Sequence, residues 1–140
     1  MMNKLRLLSI SIGLIYLWFG ALKLFPSLSP AEVLAGNTID LITFHMLSAD
    51  AGRIILAILE VLIGIGLISR FKQNFVVKVA LCHMFCTFIP LFAFPEVSFS
   101  HAPFGFTIVG QYIMKNVVII MALLILLPGK KTVTPKIATE

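Results

Sequence analysis

The sequence predicts an all-α integral membrane protein, built as a four-helix up-down bundle with a short interfacial helical segment between the first and second spans. Composition is the first observation behind this prediction: 59% of the 140 residues are hydrophobic, 12% are charged, and the mean hydropathy is +1.05. A soluble domain is usually about 45–50% apolar and about 25% charged. The second observation is that the apolar residues form four long runs. The third is that the turns between several of these runs are short, which favours antiparallel neighbours.

Each of the four runs is long enough to cross a bilayer, for which about 20 helical residues are needed. The predicted spans cover residues 5–25, 51–69, 75–94 and 107–127. They leave no room for a soluble domain, so residues 1–140 are predicted to form one transmembrane domain. The first run is interpreted as a retained span, because it is longer than the roughly 7–15 apolar residues of a signal peptide. Pro90 is expected to kink the third span.

Small and polar residues recur along one line of the first span. Ser9, Tyr16 and Lys23 are spaced seven residues apart, and Gly13 and Gly20 follow a neighbouring line. Such residues mark the face of a membrane helix that packs on other helices. This face is therefore predicted to point into the bundle.

The segment between the first two spans carries helix signals of its own. Residues 29–32, Ser-Pro-Ala-Glu, form a capping-box pattern, which predicts a short helix that ends near Gly36. Residues 39–47 are apolar with two polar residues interspersed, a pattern typical of a helix in the membrane interface. Ser48 is predicted to cap the second span, with Asp50 in its first turn.

The distribution of basic residues predicts the orientation. Those on one side of the four-span arrangement are Lys4, Arg6, Arg70, Lys72, Lys130, Lys131 and Lys136. The opposite loops carry Arg53 alone, at a span end. The positive-inside rule then places both termini in the cytoplasm of a bacterial-type inner membrane. The net charge of +5 is explained by these flanking residues, so the lipid bilayer is the predicted partner and nucleic acid is not.

Charged residues inside the spans are the candidate functional residues. Glu60 lies about 9 Å from the outer edge of the membrane core, Lys115 about 10 Å from the same edge, and Lys23 is shallower. A charge at this depth costs roughly 2.5–3.5 kcal/mol and is usually relieved by a buried partner. Lys23 and Lys115 are both candidate partners of Glu60, and Lys23 also fits a side chain that extends to the interface.

The fourth span adds polar residues close to Lys115. Gln111 lies one turn before it, and Tyr112 and Asn116 follow a second line. One interpretation of the whole set is an ion-pair network that fixes the register of the helices. The other is a polar pocket, open to the outer face, for a quinone head group or a small anion. Both interpretations fit intramembrane ionisable residues.

The third span contains two cysteines on one face, Cys82 and Cys86, with His83 between them. A redox pair is geometrically awkward within one straight helix. A metal site needs further ligands, and the other two histidines, His45 and His101, fall in outer loops. We therefore interpret the cysteines as buried packing residues and predict no metal site. Glu60 is the only acid within a span, so no self-sufficient catalytic constellation is present and an enzymatic activity is left open.

The chain resembles the DoxX-like membrane proteins in three places. The residues LWFGALKLFPSLSPAEVLAG resemble the end of that family's first span, ILEVLIGIGLI its second span with the glutamate, and GQYIMKNVVIIMALLIL its fourth with the lysine. The inner-membrane reactive-chlorine-resistance proteins are the most similar branch, which the proline-containing third span also matches. The resemblance covers nearly the whole chain, although this chain is shorter in the outer loop after Ser29.

The resemblance implies a four-helix membrane bundle associated with membrane redox chemistry. Some DoxX-like proteins are subunits of quinone-linked oxidoreductases, and others are linked to oxidative-stress defence. A quinone is the implied cofactor, a membrane redox protein the implied partner, and Lys23, Glu60 and Lys115 the implied pocket residues. The alternatives are a structural or assembly membrane protein without a small-molecule site and, with less support, a small transporter that works as a homo-oligomer.

Overall fold

The computed structural model describes residues 3–25, 32–101 and 103–128. Three long helices and one interrupted helix make up most of these residues. The long helices are α1 (Lys4–Lys23), α3 (Ala49–Ser69) and α7 (Ile108–Leu126). The interrupted helix consists of α4 (Gln73–Cys86) and its continuation α5 (Ile89–Ala93). The connecting elements are α2 (Glu32–Ile42), α6 (Pro95–Ser98), β1 (Phe99–His101) and β2 (Gly105–Phe106). The capping-box residues 29–31 and the basic tail 129–140 lie outside the described residues.

Within the part of the chain that the structure describes, four helical stretches are long and apolar enough to cross a membrane. They are Lys4–Leu24, Ala49–Ser69, Gln73–Ala93 and Ile108–Leu126, and every bound lies within two residues of the predicted spans. By length and composition the chain is therefore a multi-pass membrane protein, and the all-α four-helix prediction is confirmed. A small antiparallel hairpin, β1 paired with β2, was not predicted and lies in the loop before α7.

Helices α1 and α3 pack antiparallel and very closely. A Cβ atom added to Gly13 would lie 2.9 Å from the carbonyl oxygen of Gly64, and one added to Gly20 would lie 2.9 Å from Cβ of Glu60. The glycines thus allow an approach that larger residues exclude. The predicted packing face of α1 is confirmed, because Ser9 and Tyr16 are also buried on it.

Around the bundle, α1 contacts α3 and α7, and α4 contacts the same two helices from the other side. The end where α1 begins and α7 ends is called here the terminal half, and the opposite end, which carries α2, the α2 half. The apolar core fills the terminal half, with Ile12, Leu67, Val77 and Leu123 among its buried residues. The α2 half is packed differently and contains the candidate site.

The third span is interrupted just before Pro90. Helix α4 ends at Cys86, and α5 begins at Ile89 after a two-residue turn. Proline has no N–H to donate to the carbonyl four residues earlier, here that of Cys86, and its ring crowds that carbonyl. The predicted distortion of this span is therefore confirmed. In the turn, the hydroxyl of Thr87 donates a hydrogen bond to the carbonyl oxygen of Met84 at 2.6 Å.

The prediction that the first interspan helix ends near Gly36 is wrong. Helix α2 runs through Gly36 to Ile42 without a break. A Cβ atom at Gly36 would lie 3.1 Å from Cβ of Ala49, so this glycine serves the packing of α2 on α3 and does not end the helix. The capping of the second span by Ser48 is confirmed, since its side chain accepts a hydrogen bond from the N–H of Ala51 at 3.3 Å.

The prediction that the cysteines are buried is wrong as well. Cys82 and Cys86 are both free and both exposed, and Cys86 also borders the cavity described below. The side of α4 that faces the other helices carries Ala80, His83 and Met84 instead. The rotation of α4 about its axis therefore places the histidine, and not the cysteines, inside the bundle.

Candidate functional site

The centre of the candidate site is Glu60, buried on α3 between two basic side chains from different helices. Nζ of Lys23 lies 2.7 Å from Oε2 of Glu60, and Nε2 of His83 lies 3.4 Å from Oε1. All three side chains are less than a tenth exposed. A buried carboxylate is tolerated only when it is paired, and here each oxygen faces its own partner.

Tyr16 extends this set from α1 to α4. Its hydroxyl oxygen lies 3.2 Å from Nδ1 of His83 and 3.1 Å from the backbone oxygen of Ala80. The two rings are tilted, with their centroids 5.5 Å apart. Lys23, Glu60, His83 and Tyr16 thus form one continuous polar chain, named here the buried polar chain, across three helices.

Local structure explains why these side chains meet. The absence of a side chain at Gly20 lets α1 approach the backbone of α3 beside Glu60. Lys23 occupies the last turn of α1, where a cation is favourable next to the helix carboxyl end. Arg53, near the start of α3, donates a hydrogen bond from Nη1 to the backbone oxygen of Lys23 and fixes that end of α1.

A cavity of about 490 Å³ lies beside the buried polar chain in the α2 half. Its walls come from α1, α2, α3, the interrupted third span and α7, and most of its lining atoms are apolar. Side chains with polar groups on the wall are Tyr16, Lys23, Thr38, Glu60, His83, Cys86, Thr87, Tyr112, Lys115 and Asn116. The volume falls in the range of small-molecule sites, which are mostly apolar with a few polar groups.

Three predicted residues of α7 are on this wall. Nζ of Lys115 lies 5.0 Å from the ring centroid of Tyr112, within the range of a cation–π contact. Nδ2 of Asn116 donates a hydrogen bond to Oγ1 of Thr87 at 2.9 Å. Gln111, by contrast, does not line the cavity.

The structure separates the two candidate partners of Glu60. Lys23 forms the ion pair, so its alternative interpretation as a residue that extends to the interface does not hold. Lys115 lines the same cavity but, among the described residues, forms no ion pair with Glu60. Of the three charged side chains, Lys23 and Glu60 therefore form a close ion pair, and Lys115 is a separate cation on the cavity wall.

Partly exposed residues of α1 and α7 line the cavity and mark an opening at the surface of the bundle. Ile15 and Phe19 on α1, and Tyr112 on α7, are 42%, 40% and 53% exposed. Ile42 on α2 also lines the cavity and is 47% exposed. Ile15, Phe19 and Tyr112 belong to candidate membrane spans, so this opening is compatible with contact with lipid.

Two members of the buried polar chain were missed from the sequence. His83 was considered only as a metal ligand beside the cysteines, and Tyr16 only as part of a packing face. The signal that could have found His83 was its depth, because an ionisable residue inside a span is a functional candidate. Among the described residues, no three His, Cys, Asp or Glu side chains lie close enough together to hold a metal ion.

No protein family model, no curated protein and no solved structure matches this chain. The resemblance to the DoxX-like proteins therefore stays a prediction from short motifs.

Proposed function

We propose that this chain is a DoxX-like protein of a bacterial-type inner membrane that binds a quinone head group in the cavity of the α2 half. It acts as a quinone-linked redox or oxidative-stress-defence component together with a membrane redox partner. The observation that carries the proposal is a largely apolar cavity, open at the surface of the bundle, that has the buried polar chain on its wall. A quinone combines an apolar ring and tail with two carbonyl oxygens that accept hydrogen bonds.

The wall of the cavity offers donors for those oxygens. Nζ of Lys115 has three N–H donors, and Asn116 retains one amide N–H beyond its bond to Thr87. The tail of the ligand would leave through the opening at the surface of the bundle. The head group would then lie between these donors and the buried polar chain, while the partner protein exchanges electrons with it.

The proposal is tested by the equilibrium binding of short-chain ubiquinone to the purified protein, measured by calorimetry. Lys115→Met is expected to weaken binding about tenfold or more, equivalent to about 1.4 kcal/mol, because it removes a charged hydrogen-bond donor. Lys78→Met is the matched control, since Lys78 is exposed on α4 and does not line the cavity. Equal binding by both variants, or no binding by the unmodified chain, would contradict the proposal.

A structural or assembly role is the alternative, because the Lys23–Glu60 pair also joins α1 to α3. In that case a folded double variant, Glu60→Gln with Lys23→Met, would retain the activity of the protein in cells. A quinone site requires that this double variant fold and yet lose quinone binding. A transporter would in addition need an oligomer, and uptake by vesicles containing the protein tests it.

A further inference from the structure

The hydroxyl of Tyr16 has one proton and two acceptors within reach. Its oxygen is 3.1 Å from the carbonyl oxygen of Ala80 and 3.2 Å from Nδ1 of His83. A tyrosine hydroxyl donates one hydrogen bond but can also accept one. Both neighbours are on α4, one turn apart, so the O–H bond can turn from one to the other while all heavy atoms stay in place.

The other ring nitrogen of His83 restricts the states available to it. Nε2 is 3.4 Å from Oε1 of Glu60, and an ionised carboxylate only accepts, so Nε2 carries a proton. When Tyr16 donates to Nδ1, the ring is neutral. When Tyr16 donates to Ala80 instead, Nδ1 can also carry a proton and donate it to the tyrosine oxygen. Both states satisfy every polar atom in the set, and they differ by one proton on the ring.

We infer that His83 is the proton-exchanging group of the cavity, with Tyr16 as the residue that passes and positions the proton. The inference rests on the proposed quinone site, because a quinol hydroxyl is the group that releases the proton. The O–H bond of the quinol breaks, its proton reaches the oxygen of Tyr16, and the former proton of Tyr16 forms the Nδ1–H bond. The new O–H of Tyr16 turns to Ala80, and the quinol remains as an anion on the side of Lys115. No electron is transferred in this step.

The charges around the ring fit this exchange. The titratable or charged groups that face His83 or share its cavity wall are Tyr16 and Lys23 on α1, Glu60 on α3, Cys86 on α4 itself, and Tyr112 and Lys115 on α7. Glu60 and Lys23 offset each other, and the positive charge of the protonated ring lies next to the carboxylate, which is 3.4 Å from Nε2. The positive charge of Lys115 repels the protonated ring of His83. The same charge attracts the quinol anion and so stabilises that product of the exchange.

The chain contains few histidines and tyrosines, so the spectroscopic signals of His83 and Tyr16 can be assigned. It has three histidines and two tyrosines, and the variant His45→Asn, His101→Asn leaves His83 as the last histidine. Tyr112 lines the cavity and is kept, because the Tyr16 band is identified by its loss in Tyr16→Phe. His45 and His101 are exposed and do not line the cavity. In lipid nanodiscs, ¹⁵N NMR reads the protonation of each ring nitrogen of His83, and infrared spectroscopy reads the hydrogen bonding of the Tyr16 hydroxyl.

Without any quinol, ¹⁵N spectra recorded as the pH is lowered in steps show whether Nδ1 carries a proton. The infrared band of Tyr16 should shift in the same pH interval in which Nδ1 gains its proton, because the Tyr16 hydroxyl then turns to Ala80. Tyr16→Phe should abolish that band and change the pH interval. A tyrosine with a purely structural role would not follow the ring. An Nδ1 that stays unprotonated at every pH at which the protein is folded, or a Tyr16 band that does not follow it, would overturn the inference.

A second arm adds short-chain ubiquinol at fixed pH. Bound quinol is expected to raise the protonated fraction of His83, and bound quinol without that change would overturn the inference. Binding itself is measured separately by calorimetry. Absence of binding would contradict the proposed function, and the ligand step with it, while the coupled titration of His83 and Tyr16 would still be read in the ligand-free protein.

Discussion

Glu60 is held by two basic side chains, and this arrangement decides how each residue of the site responds to substitution. The lysine at 2.7 Å satisfies one carboxylate oxygen, and the histidine lies at 3.4 Å from the other. Removing one partner of a buried pair leaves the other as an uncompensated charge. Double substitutions can therefore show which lysine, Lys23 or Lys115, is the partner of Glu60, because only substitutions of paired residues are energetically coupled.

Glu60→Gln is expected to lower the free energy of unfolding by about 3–5 kcal/mol, because it strands the ammonium group of Lys23 inside the bundle. The double variant with Lys23→Met should recover part of this loss, since it removes the stranded charge. Unfolding in mixed detergent micelles measures all members of the cycle. Lys115→Met is the control: it should add to Glu60→Gln without coupling, and strong coupling to Lys115 in place of Lys23 would refute the pairing seen here.

For single residues, the sequence indicated which charged side chains lie inside the spans, but it did not indicate all of their contacts. Glu60 and Lys23 stand out because charges are rare in spans. The choice between Lys23 and Lys115 depends on the rotation and depth of three helices, which no local pattern contains. His83 was misjudged for the same reason, because a helix without strong amphipathicity does not show which face turns inward.

Among the elements, α1 was the most predictable and α2 the least. The seven-residue spacing of Ser9, Tyr16 and Lys23 reports a helix face directly. Gly36 was misread because a glycine has two uses, ending a helix or allowing another helix to approach, and only the position of α3 distinguishes them. The hairpin before α7 was missed because its strands are only three and two residues long.

The close approach of α1 and α3 gives a prediction at this scale. In Gly20→Ala, the new Cβ would lie 2.9 Å from Cβ of Glu60 and 3.0 Å from the backbone nitrogen of Val61. Backbone cannot move aside cheaply, so we expect a loss of roughly 1–3 kcal/mol in unfolding free energy. The Lys23–Glu60 contact should loosen with it.

The matched control is Leu14→Ala on the same helix, because Leu14 is 56% exposed on the outer surface. Its unfolding free energy should change by no more than about 0.5 kcal/mol. If Gly20→Ala were as stable as this control, the two helices would not be in close contact at that point.

At the scale of the whole molecule, the four antiparallel spans place the beginning of α1 and the end of α7 at one end, with α2 at the other. This up-down order follows from counting spans, so it was predictable from hydropathy. The cavity was not, because an interrupted third span and the added helix α2 contribute to its walls together with the other three spans. The direction in which the bundle crosses the membrane is a separate prediction, which rests on charge alone.

That direction is tested with single cysteines in a variant whose own cysteines are replaced, Cys82→Ala with Cys86→Ser. Asn37→Cys lies on the exposed side of α2, and Asn74→Cys lies in the first turn of α4, next to the turn that follows α3. Lysines and arginines near span ends are retained in the cytoplasm during insertion, and they cluster at the end that carries Asn74. An impermeant thiol reagent added to intact cells should label the first cysteine and reach the second only after the membrane is broken. The reverse pattern would invert the bundle and place the α2 half, with its cavity and buried polar chain, on the cytoplasmic side, where a quinol would release its proton inwards.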